Sequence, residues 1–195
     1  MIRQMAPTLD GIRADHVERY KWAAAFIQRA GFATVLDIGC GVGYGAWLMA
    51  QTGASITAID ADPDAITYAR DHYAHPAASY RVASADDFDG APRGVAVAFE
   101  VIEHAPEVLA LLARLRTRVL LGSVPNEAVT PYRAGASHPD HYRHFTVDQL
   151  RDALLAAGWR VSAVYGQRGK TGAEACVTPW SDDARTIIFS AVRDA

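Results

Sequence analysis

Within seven residues this chain places four glycines, Gly39, Gly41, Gly43 and Gly45, directly after the apolar run Ala33-Thr34-Val35-Leu36-Asp37-Ile38. An apolar run ended by glycines reads as a buried strand, of the kind found in parallel sheets. A helical pattern follows at once, from Tyr44 to Gln51. A strand that passes through a tight turn into a helix restricts what the rest of the chain can do. The remaining segments repeat the alternation.

Residues Ala14 to Arg29 carry Val17, Tyr20, Ala24 and Ile27 at helical spacing. Strands are predicted at Ala54–Asp60, Ser79–Ala83, Gly94–Phe99, Arg118–Ser123, Arg160–Tyr165 and Thr186–Val192. Helices are predicted at Pro63–Tyr73, where Pro63 suits the first turn, at Pro106–Leu115, and at Val147–Ala157, which closes on Gly158. The expected fold is α/β, a doubly wound sheet with helices on both faces. Two irregular stretches, Pro125 to Phe145 and Gly166 to Asp183, are long for a compact domain and read as functional or mobile loops. With no repeat and no low-complexity linker, residues 1–195 are expected to form a single domain.

Composition narrows the classes. The 195 residues are 50% apolar and 21% charged, with a net charge of −3. That is too apolar for a disordered chain and the wrong sign for a broad nucleic-acid-binding surface. No apolar run reaches the length of a membrane span, and Met1-Ile2-Arg3-Gln4-Met5 lacks a signal-peptide core. The two cysteines, Cys40 and Cys176, have neither metal nor disulfide spacing. A soluble, cytoplasmic protein is expected.

Glycines let a ligand lie against bare backbone, and the helix that follows favours negative charge. Two acidic residues refine this. Asp37, just before the glycines, suits a ligand with a positive group such as an ammonium and would repel a pyrophosphate, which speaks against a dinucleotide-dependent dehydrogenase. Asp60 ends the next predicted strand, about 20 residues beyond the turn, where a carboxylate accepts from ribose hydroxyls. The plain alternative is a tight turn with Asp60 capping the next helix.

Val35-Leu36-Asp37-Ile38-Gly39-Cys40-Gly41-Val42-Gly43 and Ala58-Ile59-Asp60-Ala61-Asp62-Pro63 resemble the first two motifs of class I S-adenosylmethionine-dependent methyltransferases. Ala83-Ser84-Ala85-Asp86-Asp87 resembles the third, Phe99-Glu100-Val101-Ile102-Glu103-His104 the segment after the fourth strand, and Val124-Pro125-Asn126 the end of the fifth. The resemblance spans residues 15 to 192. It implies a Rossmann-like, seven-stranded, mostly parallel sheet with an antiparallel last strand, and S-adenosylmethionine lying across the strands' carboxyl ends. Gly39 and Gly41 would line the methionine end with Asp37 close by, and Cys40 and Gly43 belong to the same cofactor-binding turn. Asp60 would hold the ribose hydroxyls, and Ser84 and Ala85 would edge the adenine, while Ala61, Phe99 and Glu100 complete the cofactor set. The family often has aspartate where Ser84 stands, which makes Asp86 a competitor for the adenine contact.

Glu100, Glu103 and His104 stand at i, i+3 and i+4, and share one face if the segment begins a helix. A second segment, His138-Pro139-Asp140-His141-Tyr142-Arg143-His144-Phe145-Thr146, adds three histidines. Carboxylates and imidazoles from two segments make a divalent-metal site for magnesium, manganese, iron, cobalt or zinc. The Glu-x-x-Glu-His run with its later histidine is similar to the small-RNA 3′-end 2′-O-methyltransferases, whose metal ligands fall on Glu100, Glu103, His104 and His141. The same elements resemble ubiquinone-biosynthesis and polysaccharide-associated O-methyltransferases, where no RNA is implied. Without a metal, His104 or His141 serves as a general base. In the plain alternative the glutamates complement a helix dipole, and His141 and His144 are solvated.

The expected activity is O-methylation of a small-molecule or sugar hydroxyl, with S-adenosylhomocysteine as product. Acceptor recognition is assigned to the N-terminal helical cap (1–30) and to the stretches 124–145 and 166–183, the latter as a lid. Tyr20, Trp22, Tyr142 and Arg143 are candidate acceptor contacts. An RNA terminus ranks lower because the chain is mildly acidic without a basic run. A non-catalytic S-adenosylmethionine-binding module is the third possibility, separated from the others by whether the Glu/His cluster converges on an open pocket.

Overall fold

The computed structural model describes residues 5–84, 94–134 and 140–193. The elements in chain order are α1 (Ala14–Ala30), β1 (Thr34–Ile38), α2 (Tyr44–Ala50), β2 (Ser55–Asp60), α3 (Pro63–His72), β3 (Ala78–Val82), β4 (Val95–Phe99), α4 (Val108–Arg114), β5 (Val119–Pro125), α5 (Val147–Ala156), β6 (Arg160–Gln167), β7 (Thr178–Pro179) and β8 (Thr186–Val192). All twelve regular segments predicted from the sequence are present. Their ends move by one or two residues.

The strands form one sheet in the order β3-β2-β1-β4-β5-β8-β6-β7. Strands β1 to β5 are parallel, and β8 runs antiparallel between β5 and β6. The last strand is therefore reversed, as expected, but among the described residues the sheet has eight strands and not seven. The additional one, β7, pairs through Tyr165↔Pro179 and Gly166↔Thr178 inside the stretch read as irregular. Two residues including a proline carry no periodicity. This pairing exists only because β6 runs on to Gln167 and offers its edge.

Successive side chains of a strand point to opposite faces, and here both faces are covered. Val35 of β1 and Val95 and Val97 of β4 join one core with Ile27, Met49, Ile56 and Ile66, under α1 to α3. Leu36 and Ile38 of β1 and Ala96 and Ala98 of β4 join the other with Leu112, Leu154, Trp159 and Phe189, under α4 and α5. Double-sided burial explains why these strands read as continuous apolar runs.

Local chemistry sets the helix starts. Pro63 opens α3 with Asp62 as its cap, accepting from the Asp64 amide at 2.8 Å. Helix α5 opens with a reciprocal box, Thr146 Oγ1 accepting from the Gln149 amide and Gln149 Oε1 from the Thr146 amide. The expected shared helical face of Glu100, Glu103 and His104 does not form. Glu100 has φ 55°, and Ile102–His104 is a short 3-10 turn that ends well before α4. A non-glycine residue in the left-handed region is strained. Here β5 holds it: the Glu100 amide donates to the Ser123 carbonyl and Oγ, and Ser123 Oγ–H donates back to Glu100 Oε1 at 2.7 Å.

Trp159, 1% exposed, fixes the α4–α5 face. Its indole N–H donates to the Leu112 carbonyl at 2.9 Å, and the Arg193 guanidinium stands 4.4 Å above its ring. Trp159→Ala is expected to lower the unfolding free energy by about 3–5 kcal/mol, measured by urea denaturation.

Candidate active site

β1 leads outward to β2 and β3, whereas β4, its other neighbour, leads to β5. A crevice opens where strand order reverses, at the carboxyl ends, and ligands of open α/β sheets bind there. The structure has a cavity of about 350 Å³ at that place. Its walls include Gly39, Cys40, Gly41, Asp60, Ala61, Ser84, Phe99 and Glu100, eight of the twelve residues assigned to the cofactor from sequence. Ala85 and Asp86 lie outside the described residues.

Asp37 and Gly43 do not line the cavity. Gly43 has φ 92°, and a Cβ there would stand 2.6 Å from Cβ of Ala69, so it serves the turn and its packing against α3. Asp37 lies wholly buried beneath the turn, Oδ1 accepting from the Tyr20 hydroxyl at 3.2 Å and Oδ2 without a hydrogen-bond partner among the described residues. Burial pushes its carboxyl up to about 8, against the pull of the Tyr20 hydrogen bond and with a further push from Asp60.

Asp60 is not a helix cap; Asp62 is. Asp60 Oδ2 accepts from the Gly41 amide at 2.8 Å and Oδ1 from the Asp62 amide at 2.9 Å. The carboxylate thus ties β2 to the glycine turn at the cavity wall.

Helix α1 supplies a wall that sequence reasoning had credited only with Tyr20 and Trp22. His16, Arg19 and Tyr20 line the cavity, whereas Trp22 packs between Phe26, Phe99 and Tyr165. Arg19 is 2% exposed; its guanidinium donates to Gln167 Oε1 at 3.0 Å and lies 3.9 Å from both Asp15 and Glu100 carboxylates. Burial and the nearby Arg19 push His16 down to about 4, so it is neutral at pH 7. Its Nε2 then accepts from Arg13, and Nδ1–H donates to the Tyr44 hydroxyl. The sequence signal was the spacing of positions 16, 19 and 20, polar groups set into the helix's buried stripe. Gln167 also donates to the Asp15 and Ala175 carbonyls, anchoring the start of the 166–183 stretch on α1. No residue of that stretch lines the cavity.

Beyond Glu100 the chain turns inward. Glu103, His104 and His141 bring one potential ligand atom each to within 4.8 Å of one another. Glu103 is fully buried and neither carboxylate oxygen has a hydrogen-bond partner among the described residues; burial, with Glu100 nearby, holds its carboxyl well above the ordinary range. His104 lies in both the cavity wall and this cluster. Burial lowers its pKa, and its Nδ1 lies 2.9 Å from the Asp140 carbonyl oxygen. The loop carrying His141 is lashed to the turn by the Tyr142 amide on the Glu103 carbonyl and by Arg143 Nη2 on the Pro106 carbonyl. Glu100 is set apart from this trio, engaged by Ser123 and Arg19. Tyr142 is 55% exposed, and His144, three residues after His141, is buried at 7%. His138 lies outside the described residues.

An open α/β sheet with a glycine turn and a carboxylate at the floor of its switch-point cleft defines a Rossmann-like cofactor-binding domain. Residues 14–164 match the family described as a methyltransferase domain, and the chain belongs to that family. A probable S-adenosylmethionine-dependent methyltransferase of Mycobacterium tuberculosis is 33% identical over 139 residues, 68% of this chain and 50% of that protein. A ubiquinone biosynthesis O-methyltransferase of Xanthomonas campestris is 36% identical over 109 residues, 53% of this chain and 43% of that protein. The chain thus spans about half the length of the curated relatives it matches. Among solved structures, the methyltransferase domain of bacterial CtHen1-C superposes with a TM-score of 0.70 at 21% identity, covering 93% of this chain and 100% of that one. Magnesium protoporphyrin IX methyltransferase from Synechocystis, with bound S-adenosylmethionine, gives 0.67 at 18% identity, covering 92% and 80%. Among the described residues no helix is long and apolar enough to cross a membrane.

The buried Asp37 makes stability depend on pH. An unfolded chain ionises this carboxyl near 3.8, whereas the folded protein holds its proton up to about 8. Across that window the folded state binds more protons, so stability falls as pH rises. Asp37→Asn keeps the acceptor for Tyr20 and removes the titration. Its melting temperature is expected to gain on the parent by several degrees between about pH 5 and about pH 8. Parallel profiles would contradict the buried, protonated carboxyl.

Proposed function

We propose that this domain transfers the methyl group of S-adenosylmethionine to a hydroxyl of a small molecule or sugar, with a divalent cation held by Glu103, His104 and His141. One observation carries the proposal. His104 belongs both to the wall of the glycine-floored cleft and to the Glu103–His141 cluster, so cofactor site and reactive groups share a side chain.

The cleft has the groups that an adenosyl amino acid requires. Asp60 offers lone pairs to ribose hydroxyls at the floor. Arg19, buried in the wall, is a fixed positive group for a carboxylate. Ser84 is placed at the adenine edge, with Ala85 and Asp86 next in the chain. Asp37, behind the glycine turn, contributes its negative potential to the methionine end only when ionised. S-Adenosylmethionine supplies, when bound, a methyl group already activated on a positively charged sulfur. What the protein adds is alignment of the acceptor oxygen and management of its proton.

Glu103 supports the metal assignment. A fully buried carboxylate without a hydrogen-bond donor is costly and calls for a cation or a proton. Carboxylate and imidazole together suit manganese, iron, cobalt or zinc better than magnesium. Glu103, His104 and His141 would hold such a cation, and its chemistry would be to lower the pKa of an acceptor hydroxyl, a vicinal diol above all. Glu100, set apart from the three ligand atoms, is assigned to the cofactor side of the cleft. Acceptor recognition falls to α1, which lines the cleft, and to the 124–145 stretch that carries His141.

A second acceptor, the 3′-terminal ribose of RNA, rests on the same cluster, since that ribose presents a vicinal diol. The net charge of −3 weighs against it. Convergence of the cluster beside an open cleft weighs against a non-catalytic binding module.

Calorimetry is expected to detect S-adenosylmethionine and not NAD, with Asp60→Ala weakening binding at least ~10-fold, the loss of more than one charged hydrogen bond. Tight NAD binding alone would refute the proposal. A labelled-methyl transfer screen over diols, sugars, phenols and short RNAs is expected to find a diol or sugar acceptor. Chelator treatment should abolish that transfer and manganese or cobalt restore it. Full activity in chelator together with an active Glu103→Ala/His141→Ala variant would remove the metal, and transfer to RNA alone would move the assignment to the second acceptor.

A further inference from the structure

Behind the Glu103–His104–His141 cluster stands a third imidazole, that of His144. His144 has Nδ1 2.5 Å from the Thr130 carbonyl oxygen and Nε2 2.8 Å from Nδ1 of His141. A carbonyl oxygen only accepts, so Nδ1 of His144 carries a proton. In the neutral ring Nε2 is then the acceptor, and the hydrogen between the two rings belongs to Nδ1 of His141. A neutral imidazole has one N–H, so His141 keeps its lone pair on Nε2. His104 is set in the same way, its Nδ1–H donating to the Asp140 carbonyl. Two main-chain carbonyls therefore dictate the same tautomer at both histidines of the cluster, one directly and one through His144.

Both nitrogens of His144 are occupied in this relay, which excludes it as a ligand although it sits beside one. Its surroundings reinforce the orientation. Glu127 Oε2 lies 3.9 Å from its Nδ1, and that carboxylate is itself fixed by the Tyr132 amide at 2.8 Å. The Tyr132 ring packs edge-on at 5.7 Å. The His144 side chain is 2% exposed, so water does not compete for these bonds.

We propose that His144 is a positioning residue: by accepting from Nδ1–H of His141 it sets that ring's lone pair on Nε2, the nitrogen that would ligate a divalent cation. Outer partners that orient a ligating imidazole typically change metal affinity by about 10–100-fold. The role rests on the metal reading above, and the measurements separate the two. Long-range proton–nitrogen correlation spectra of the ¹⁵N-labelled apo protein read the tautomers directly. His104, His141 and His144 are all expected as Nδ1–H, and an Nε2–H tautomer at His141 overturns the inference whatever the metal does. Cobalt(II) is then titrated by calorimetry and visible absorption. His144→Leu, which keeps bulk and loses the acceptor, is expected to weaken cobalt about 10–100-fold and to release His141 into mixed tautomers. His144→Gln, whose Oε1 still accepts from His141, is expected to recover most of the affinity. Equal cobalt affinity in the parent and His144→Leu overturns the positioning role and leaves the metal site intact. No cobalt binding by the parent removes the metal reading and this role together, even with the tautomers as expected.

Discussion

The side-by-side placement of β1 and β4 is the constraint on which the rest of the molecule depends. Both are central strands covered on two faces, so neither can leave the sheet without exposing apolar surface from both cores. Because their crossovers depart in opposite directions, the backbone cannot fill the space above their carboxyl ends. The glycine turn after β1 and the strained Glu100 after β4 face each other across that gap. The cleft thus follows from the strand order, and its lining was settled by which residues end those strands.

The site is dense in ionisable groups that water does not reach. Asp37, Arg19 and Glu103 are all essentially buried, yet they are handled differently. Asp37 keeps a proton and shares Tyr20. Arg19 is placed between two carboxylates and an amide oxygen. Glu103 has no donor among the described residues, and burial holds its carboxyl well above the ordinary range. Carboxyls such as Asp37 and Glu103, held above their ordinary protonation range by burial, gather where chemistry is done. Burying them costs stability that a packed apolar core of the same size would retain.

Much of this was legible beforehand, for identifiable reasons. The strands were readable because double-sided burial writes long apolar runs, and the turn because only glycine tolerates Gly43's backbone beside Ala69. Asp60 was readable because its distance from the turn is set by one helix and one strand. The cluster was only half readable. Spacing i, i+3, i+4 would join Glu100 to Glu103 and His104 on a helix, but the left-handed Glu100 and the 3-10 turn send Glu103 inward and leave Glu100 on the cleft wall. Strand β7 carries no period at all. Arg19 and His16 looked like an ordinary polar interruption of an amphipathic helix.

By itself the sequence determined the alternating elements, the sheet they build, and the acidic and glycine residues at its carboxyl edge, because these depend on periodicity and on local backbone freedom. Only the tertiary structure decided which charged groups lose water and which imidazoles meet. His141 and His144 belong to a loop whose course is fixed by single bonds to distant main chain, Tyr142 to Glu103, Arg143 to Pro106 and His144 to Thr130. Such contacts depend on directions in space that no local pattern encodes. The protonated edge of each histidine, which decides what the cluster can bind, is therefore a property of the fold.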